Sequence, residues 1–542
     1  MKKVFKNFIM GLAAVAVGTL MLTSCSKKFD PTTSIPDNAI AVLNINLAEI
    51  WEKGDLDNVQ DLKSMDWILK ELKNEDKDAY KIVKEILDDP ESTGLNLKSD
   101  ICCYVDDDLN IVMLAQMDSK SKFSDFLDNT CKKADVKLKK DKKKGVHYAK
   151  IKESDDKGAF AWDKKKAAII IGTQKDLNES RIVKIMDVGK KECIANNDQF
   201  MKYWENRGDI SCWVSFGKLL DIVPNNMLND VDVADIDMLK KGSMYANISF
   251  NDGNITLHSE LIGVDNKYYE KYIGTFNTNL VKYMPQNTLI AASLNMNLSK
   301  MMSELSGQLD LNERVLGNNF TVRELLNSLK GSGVASVYDF TYDMMPIFAM
   351  AVDINANETV NNLLYWLESN GAEKRNGYYV IPFNYNNNFY FACNNEAAFL
   401  TNDESAANQF MYGGYSNSLA KVADDIKKGN YIYMDLNVND YPSSITGFIP
   451  ESVRSILSGY LKNIEVRTTS STGGEIVINL VGNKNSLAST IKLIDDNFNN
   501  LDDLADDLDH AFGNSYGGYD YYNDYPADST ASYSSYYDEY DY

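Results

Sequence analysis

The chain repeats a series of short sequence patterns in the same order along its two halves, and this repetition constrains the fold more than any other feature. A turn followed by an apolar strand pattern at residues 36–47 recurs at residues 285–298. Further matched pairs keep the same order: 113–118 with 348–353, 145–148 with 377–380, 160–170 with 391–400, 208–213 with 429–434, and 261–263 with 480–482. Because chance matches would not stay colinear, the pattern predicts a tandem duplication. The alternative is ordinary strand–helix alternation that only looks repetitive.

The duplication predicts the domain organisation and the fold class. Repeat domain one is expected at residues 36–283 and repeat domain two at residues 284–500. Short strand patterns and hairpin turns dominate each repeat, with helices such as 120–133 and 361–369 between them. Such a pattern is typical of antiparallel sheets covered by helices. We therefore predict an α+β fold: two tandem copies of an antiparallel sheet with helices packed on one face. A helical insert is expected at residues 59–87.

The N-terminus has the pattern of a secretory signal. Three lysines precede an uncharged, mostly apolar run at residues 8–22, and small residues then precede Cys25. The run is shorter than the roughly 20 residues that a transmembrane helix needs. A cysteine at this point resembles the lipobox of bacterial lipoproteins. We predict a removed signal peptide at 1–24, a lipid on Cys25 and a tether at 25–35. The alternative is an ordinary signal peptide with an incidental cysteine.

The C-terminal segment, residues 501–542, is rich in aspartate and tyrosine and has almost no aliphatic side chains. Such a composition cannot bury enough apolar surface to offset the entropy lost on ordering. We therefore predict a disordered acidic tail, which serves either as a solvated terminus or as an interaction segment.

The formal net charge of −22 excludes nucleic acid as a partner, because an acidic chain repels phosphate backbones. Two lysine-rich runs, residues 139–144 and 164–166, stand out against this charge. They are interpreted as solvated loops or as a surface for anionic lipid or glycan. Repeat two lacks both runs, which favours the solvated loops.

No set of residues predicts catalysis. The three histidines are His147, His258 and His510, and none is close in sequence to a plausible nucleophile. Residues 513–517 match GxSxG only within the tail, where no strand-to-helix elbow is expected. No Walker A motif and no strand-linked GxGxxG occurs, so no cofactor is predicted.

The sequence also lacks the residue patterns typical of metal sites and of disulfide frameworks. The acidic cluster Asp230, Asp232, Asp235 and Asp237 fails the EF-hand spacing, because Asp235 occupies the glycine position and Lys241 the closing glutamate position. No metal is predicted. The cysteines after Cys25 are interpreted as buried free thiols, with a bond from Cys102 or Cys103 to Cys131 as the alternative; they are Cys102, Cys103, Cys131, Cys193, Cys212 and Cys393.

The lipobox, the Pro-Asp-Asn-Ala start at residues 36–39, the Gly-Leu-Asn-Leu segment at 94–97 and the duplicated units resemble an uncharacterised lipoprotein family of Bacteroidetes, classed as a domain of unknown function. The resemblance implies an outer-membrane location and brings no catalytic residues. Surface-exposed lipoproteins of that group look to carry acidic residues after the cysteine. Here residues 26–29 are Ser-Lys-Lys-Phe, which favours the periplasmic face.

These features predict a non-enzymatic envelope protein, held at the membrane through Cys25, that binds or scaffolds an unknown envelope protein or glycan. One alternative is a glycan-binding accessory lipoprotein, which requires exposed tryptophans among Trp51, Trp162, Trp204, Trp213 and Trp366. The other is an envelope hydrolase, which requires His147 or His258 beside a serine, cysteine or carboxylate.

Overall fold

The computed structural model describes residues 29–133, 136–151, 157–173, 176–223, 237–305, 310–383, 387–447 and 449–498. The predicted signal peptide with Cys25, the predicted tail with His510, and Asp230, Asp232 and Asp235 lie outside these residues. In the described part, no helix is long and apolar enough to cross a membrane.

Helices and strands are mixed along the whole chain, and each strand pairing in the described residues is antiparallel. The strands of the first half are β1 Ala41–Ile45, β2 Ile101–Val105, β3 Ile111–Gln116, β4 Leu138–Lys143, β5 Val146–Ile151, β6 Gly158–Trp162, β7 Lys166–Ile171, β8 Ile210–Ser215, β9 Ser243–Asn251 and β10 Asn254–Ile262. Those of the second half are β11 Ile290–Asn295, β12 Arg314–Val315, β13 Phe320–Thr321, β14 Leu329–Phe340, β15 Pro346–Ile354, β16 Glu373–Arg375, β17 Tyr378–Pro382, β18 Asn388–Cys393, β19 Ala397–Thr401, β20 Tyr431–Asp435, β21 Leu461–Thr468 and β22 Gly473–Leu480.

The α-helices lie in the connections between these strands. In chain order they are α1 Leu47–Gly54, α2 Lys63–Glu75, α3 Lys77–Asp88, α4 Lys120–Lys133, α5 Glu179–Met186, α6 Asp198–Glu205, α7 Phe216–Ile222, α8 Asn266–Glu270, α9 Leu298–Leu305, α10 Val322–Asn327, α11 Glu358–Ser369, α12 Glu404–Met411, α13 Ala423–Ile426, α14 Ser443–Thr446, α15 Glu451–Tyr460 and α16 Ser486–Asn497. Short 3-10 helices occur at Pro31–Thr33, Leu56–Asp61, Pro90–Thr93, Ile194–Asn196, Thr278–Tyr283 and Val438–Asp440. The predicted helical insert is therefore present as α2 and α3.

One 20-stranded sheet runs through both halves. In the first half, neighbouring strands follow the order β4-β5-β6-β7-β3-β2-β1-β8-β9-β10. In the second half they follow the order β16-β17-β18-β19-β15-β14-β11-β20-β21-β22. The halves join where β10 pairs with β22, with His258 opposite Glu475. Strands β12 and β13 form a separate hairpin.

The two largest cores lie on the same face of this sheet. In the first half, α5 and α6 pack on alternate residues of the strands through side chains such as Ile182, Phe200 and Tyr203. In the second half, α12 contributes Ala406, Ala407 and Phe410 to the equivalent position. We call this side of the sheet the core face.

Helices also pack on the opposite face, so the prediction of helices on one face is wrong at the β4–β7 end of the sheet. Strand β6 shows why: Ala161 belongs to the main core, whereas its neighbour Trp162 packs against Phe123 and Leu127 of α4. Adjacent residues of a strand point to opposite faces, so α4 lies across the sheet from α5 and α6.

The end of the second half packs against the start of the first. Helix α16 contacts α1 and α2, and Ile491 of α16 joins the small core formed by α1, α2 and α3. The end of the first half likewise packs against the start of the second. The segment after α8 contacts the chain just before α9, where the amide of Asn297 donates a hydrogen bond to the carbonyl of Tyr272. The segment after the last strand of each half therefore packs beside the other half.

Candidate functional site

Strand β20 exposes apolar residues where a one-sided sheet normally exposes polar ones. Tyr431 and Tyr433 point to the core face and are only 2% and 3% exposed. Ile432 and Met434, on the other side of the same strand, are 47% and 39% exposed. One side of β20 is therefore packed as a core, while the other presents aliphatic groups to solvent.

The apolar side of β20 continues across neighbouring strands in register. One row of cross-strand partners runs through Leu257, Ile476, Val466, Ile432, Ala292, Ala335, Met350 and Leu400. A second row runs through Ile255, Ile478, Ile464, Met434, Ile290, Val337 and Phe348. Neither row contains a charged side chain. We call these two rows the open apolar face; at the spacing of sheet strands the first row spans about 34 Å.

The exposed members of this face are spread over several strands. Ile476 on β22 is 39% exposed and Met350 on β15 is 38% exposed, on either side of β20. Leu294, two residues beyond Ala292 on β11, is 48% exposed. An apolar patch of this continuity is typical of a binding surface, because folded chains otherwise bury such groups.

The core face is polar where the two halves meet. Arg467 binds Glu475 through its Nε atom, and Glu475 lies opposite His258. The hydroxyl of Tyr245 donates to Oε2 of Glu260 at 2.7 Å. His258 Nε2 lies 3.4 Å from that hydroxyl and 3.8 Å from Glu260 Oε2. His258 thus has a tyrosine and a carboxylate beside it, with the carboxylate oxygen beyond hydrogen-bond distance.

His147 lies in a different environment, near lysines. Its ring stacks on Trp162, with 5.7 Å between the ring centroids. Burial, with the charges of Lys120 and Lys142, lowers the pKa of His147. The groups that act on His147 are therefore an indole and two cations, rather than the nucleophile or carboxylate that a hydrolase requires.

The tryptophans do not form a stacking surface for sugars. Trp51, Trp162, Trp204 and Trp213 are at most 8% exposed, and only Trp366 of the five predicted candidates is partly open to solvent. The most exposed tryptophan is Trp67, at 49%, which is not among those five; the centroid of its ring lies 5.1 Å from that of Phe498.

Comparison with known proteins gives a family and no activity. A family model described as a domain of unknown function, DUF4836, matches residues 32–490. The chain belongs to the DUF4836 family. A search of curated proteins found no match. A solved structure described as crystal form I of TP0453 is similar over 43% of this chain and 78% of that one, at 12% identity and a TM-score of 0.24. This likeness is too weak to carry an argument.

The cysteines of this DUF4836 chain are free thiols in the described residues. Cys102 lies in the main core and donates to Oδ1 of Asn44 at 2.9 Å. Cys131 lies on α4, across the sheet from Cys102, and is a free thiol, so neither alternative bond, from Cys102 or from Cys103 to Cys131, is formed. Burial raises the pKa of Cys103 to about 11, which makes it a weak nucleophile at neutral pH.

The acidic segment Asp106, Asp107 and Asp108 forms the turn between β2 and β3. Oδ1 of Asp106 accepts hydrogen bonds from the amides of Asp108 and Asn110, an arrangement typical of aspartate in a tight turn. Across the described residues, no group of three or more histidine, cysteine, aspartate or glutamate side chains is arranged to hold a metal ion.

The lysine-rich runs of the DUF4836 chain form strand β4 and two turns. Residues 139–143 lie in β4, and Lys164 and Lys165 form the exposed turn between β6 and β7. Lys166 begins β7 and is 6% exposed. Two of these lysines bind acidic residues, Lys140 with Asp128 and Lys143 with Glu179.

Proposed function

We propose that this chain is a non-enzymatic, lipid-anchored protein of the bacterial cell envelope that binds an apolar ligand on the open apolar face. Cys25 is the proposed anchor, and the outer membrane, on its periplasmic side, is the proposed location. The observation that carries the binding function is the pair of uncharged aliphatic rows, with side chains up to 47% exposed on strands whose other side is a closed core.

The proposal includes a tandem duplication of one sheet unit. Its support is the order of ten strands, which is the same on either side of the β10–β22 pairing. A second support is the reciprocal packing of α16 on α1 and of the segment after α8 on α9. A duplicated unit joined edge to edge doubles the length of one continuous sheet, and the open apolar face crosses that junction at Leu257 and Ile476.

The chemistry of the face selects a hydrocarbon ligand. Its strands lie inside the sheet, where their amides and carbonyls are used by neighbours on both sides, so a peptide strand cannot be added there. Its rows offer no charged side chain to a polar ligand. Affinity must come from apolar contact, at roughly 25 cal/mol per Å² of buried surface. An extended acyl chain meets these conditions.

The binding proposal is tested with cis-parinaric acid, a fluorescent acyl chain, titrated into the mature chain. We expect saturable binding that weakens about tenfold when Ile432→Gln and Met434→Gln are combined, because each removes apolar contact from the centre of the face. Ile494→Gln is the matched control, since Ile494 is 44% exposed on α16 and outside the two rows. Equal weakening by the control, or no saturable binding by the unmodified chain, would refute the proposal.

The anchor is tested separately in cells. We expect an alkyne-bearing fatty acid to label the protein and Cys25→Ser to abolish the label. Protease treatment of intact cells should leave the protein uncut if it lies on the periplasmic side. Labelling that survives Cys25→Ser would contradict the anchor, and cleavage on intact cells would contradict the side.

A further inference from the structure

The two lysine-rich runs, separate in sequence, meet at one end of the first half of the sheet. Lys142 on β4 pairs with His147 on β5, which in turn pairs with Trp162 on β6. The turn between β4 and β5 therefore lies beside the turn between β6 and β7. Lys144 and Lys164 are the exposed tips of these turns. Adjacent strands lie about 4.8 Å apart, so the two tips form one surface.

The first turn has a defined conformation. Lys144 and Gly145 both have positive φ, 50° and 84°, as a two-residue hairpin of type I′ requires. Gly145 meets this requirement without strain because it has no Cβ atom. The position of Lys144 is therefore fixed by a tight hairpin turn, as it would not be in a long loop.

Helix α4 adds two more lysines at the same end. It begins at Lys120, directly after β3, whose last residue Gln116 pairs with Lys166 at the start of β7. Lys122 follows on the first turn of α4. We call this surface the basic edge and define it by Lys120, Lys122, Lys142, Lys144, Lys164 and Lys165.

The charge of this region is opposite to that of the chain. Between positions 118 and 166 the sequence has sixteen lysines and nine acidic residues, in a protein with a net charge of −22. Lysines at the end of an edge strand also discourage sheet-to-sheet aggregation, which explains those on β4 itself. That role does not explain Lys164 and Lys165, which lie on a turn between two inner strands.

The first residue that the structure describes, Phe29, lies beside the basic edge. The amide of Phe29 donates to Oε1 of Gln116 at 3.1 Å, and the amide of Met117 donates to the carbonyl of Lys165 at 2.8 Å. Cys25 precedes Phe29 by four residues, and four residues span at most about 14 Å. A lipid on Cys25 would therefore hold a membrane surface within that distance of Phe29, which lies beside the end of β3 that is bonded to the Lys164–Lys165 turn.

We propose that the basic edge binds the anionic headgroups of the membrane that holds Cys25. The inference rests on the proposed lipid anchor and adds an orientation to it. Each lysine near an anionic surface contributes about 1 kcal/mol, so the cluster would supplement the acyl chains of the anchor. Strand ends rather than a sheet face would meet the membrane, which leaves the open apolar face accessible to a ligand.

The test uses the mature chain with Cys25→Ser, so that no acyl chain contributes, and two kinds of vesicle: phosphatidylcholine alone, and an equimolar mixture of phosphatidylcholine and phosphatidylglycerol. We expect co-sedimentation with the mixed vesicles only, weakening as salt is added. Combining Lys164→Gln with Lys165→Gln should weaken this binding about thirtyfold, since two charges of about 1 kcal/mol each are removed.

The matched control combines Lys240→Gln with Lys241→Gln. Both lysines are exposed and precede β9, at the opposite end of the strands from the basic edge. This control should bind the mixed vesicles as the parent does, and circular dichroism should give the same folded signal for both variants.

Binding to neutral vesicles with equal affinity would overturn the inference, as would equal losses in the two variants or no binding to anionic vesicles. Failure of the anchor alone has a different signature: fatty-acid labelling is lost in cells, while the vesicle result with Cys25→Ser is unchanged.

Discussion

The same side of the sheet is open in the second half and partly covered in the first, where Leu43 and Ile111 remain 36% and 43% exposed. On β20, Ile432 and Met434 are exposed, whereas on β8 the corresponding side chains, including Ile210 and Cys212, are half-buried. The strand order of the two halves is the same, so the order alone does not explain the difference. What differs is the set of helices that the connections bring to each half.

The first half has more helices beside it. The connection from β1 to β2 holds α1, α2 and α3, which form a small core of their own. Helices α7 and α16 contact β8 or β9, and α16 comes from the end of the second half. The corresponding connection from β11 to β14 holds only α9 and α10 among its described α-helices. We infer that the open apolar face is exposed because the connections in the second half bring fewer helices to it, and not because the sheet itself is unusual.

The largest expected effect compares the buried carboxylates of the two halves. Asp209 is 3% exposed, and it binds Lys53 at 2.7 Å and the amide of Phe250 at 2.6 Å. Asp209→Ala should lower the free energy of unfolding by about 4 kcal/mol, because the half-buried Lys53 then keeps only Glu49, at the longer distance of 3.7 Å, as a charge partner. Urea denaturation of the mature chain measures this loss.

A buried carboxylate at the other end of the equivalent strand β20, Asp435, is a control for that value. Asp435 is 2% exposed and binds Lys421 at 2.6 Å, but Lys421 remains close to solvent and also binds Asp440 at 2.9 Å. Asp435→Ala should therefore cost less, about 2 kcal/mol. If Asp435→Ala lowered the free energy of unfolding more than Asp209→Ala, the greater solvent exposure of the Lys421 ion pair would not explain the difference between the two sites.

A smaller effect tests the sheet face directly. Ile210→Asn should lower the free energy of unfolding by about 2 kcal/mol, because it leaves an amide in a half-buried apolar site. Ile432→Asn should change it by less than about 0.5 kcal/mol, because the side chain is 47% exposed. Thermal unfolding followed by circular dichroism measures both, and equal costs would contradict the difference between the two halves.

The sequence predicted the elements better than it predicted which surfaces are open. The predicted helix at 120–133 is α4, and the predicted helix at 361–369 lies within α11. On β20, however, residues 431–434 are apolar or aromatic on both faces, which by itself indicates a strand buried on both sides. Ile432 is exposed because of how the connections between strands are arranged, and the sequence pattern around Ile432 does not indicate that arrangement.

The pairing register of the strands is a second feature that the comparison of the two halves of the sequence did not predict. The match of 208–213 with 429–434 aligns Ser211 with Ile432. In the structure Ser211 pairs with Asn44 and is buried, whereas Ile432 pairs with Ala292 and is exposed. A shift of one residue moves a side chain to the other face. The meeting of the two lysine-rich runs was unpredictable for a related reason, since it depends on strand order.

The smallest expected effect concerns the contact that brings α16 to the first half. Oδ1 of Asp495 accepts hydrogen bonds from the amide and the hydroxyl of Ser64 at 2.8 and 2.9 Å. Burial favours the neutral acid, but these hydrogen bonds outweigh it and lower the pKa of Asp495. A carboxylate whose pKa is lower in the folded state stabilises the fold above its unfolded pKa of about 3.9, and this contribution is lost as the pH falls through the folded value.

Asp495→Asn should therefore cost about 1 kcal/mol at neutral pH and progressively less as the pH falls below about 4, as urea denaturation across pH would measure. Asp496→Asn is the control, because Asp496 is exposed and its ion pair with Lys492, at 3.0 Å, also lies at the surface. If α16 is what covers the first half, Asp495→Asn should also increase the binding of cis-parinaric acid. Unchanged binding with reduced stability would mean that α7, rather than α16, closes that half of the face.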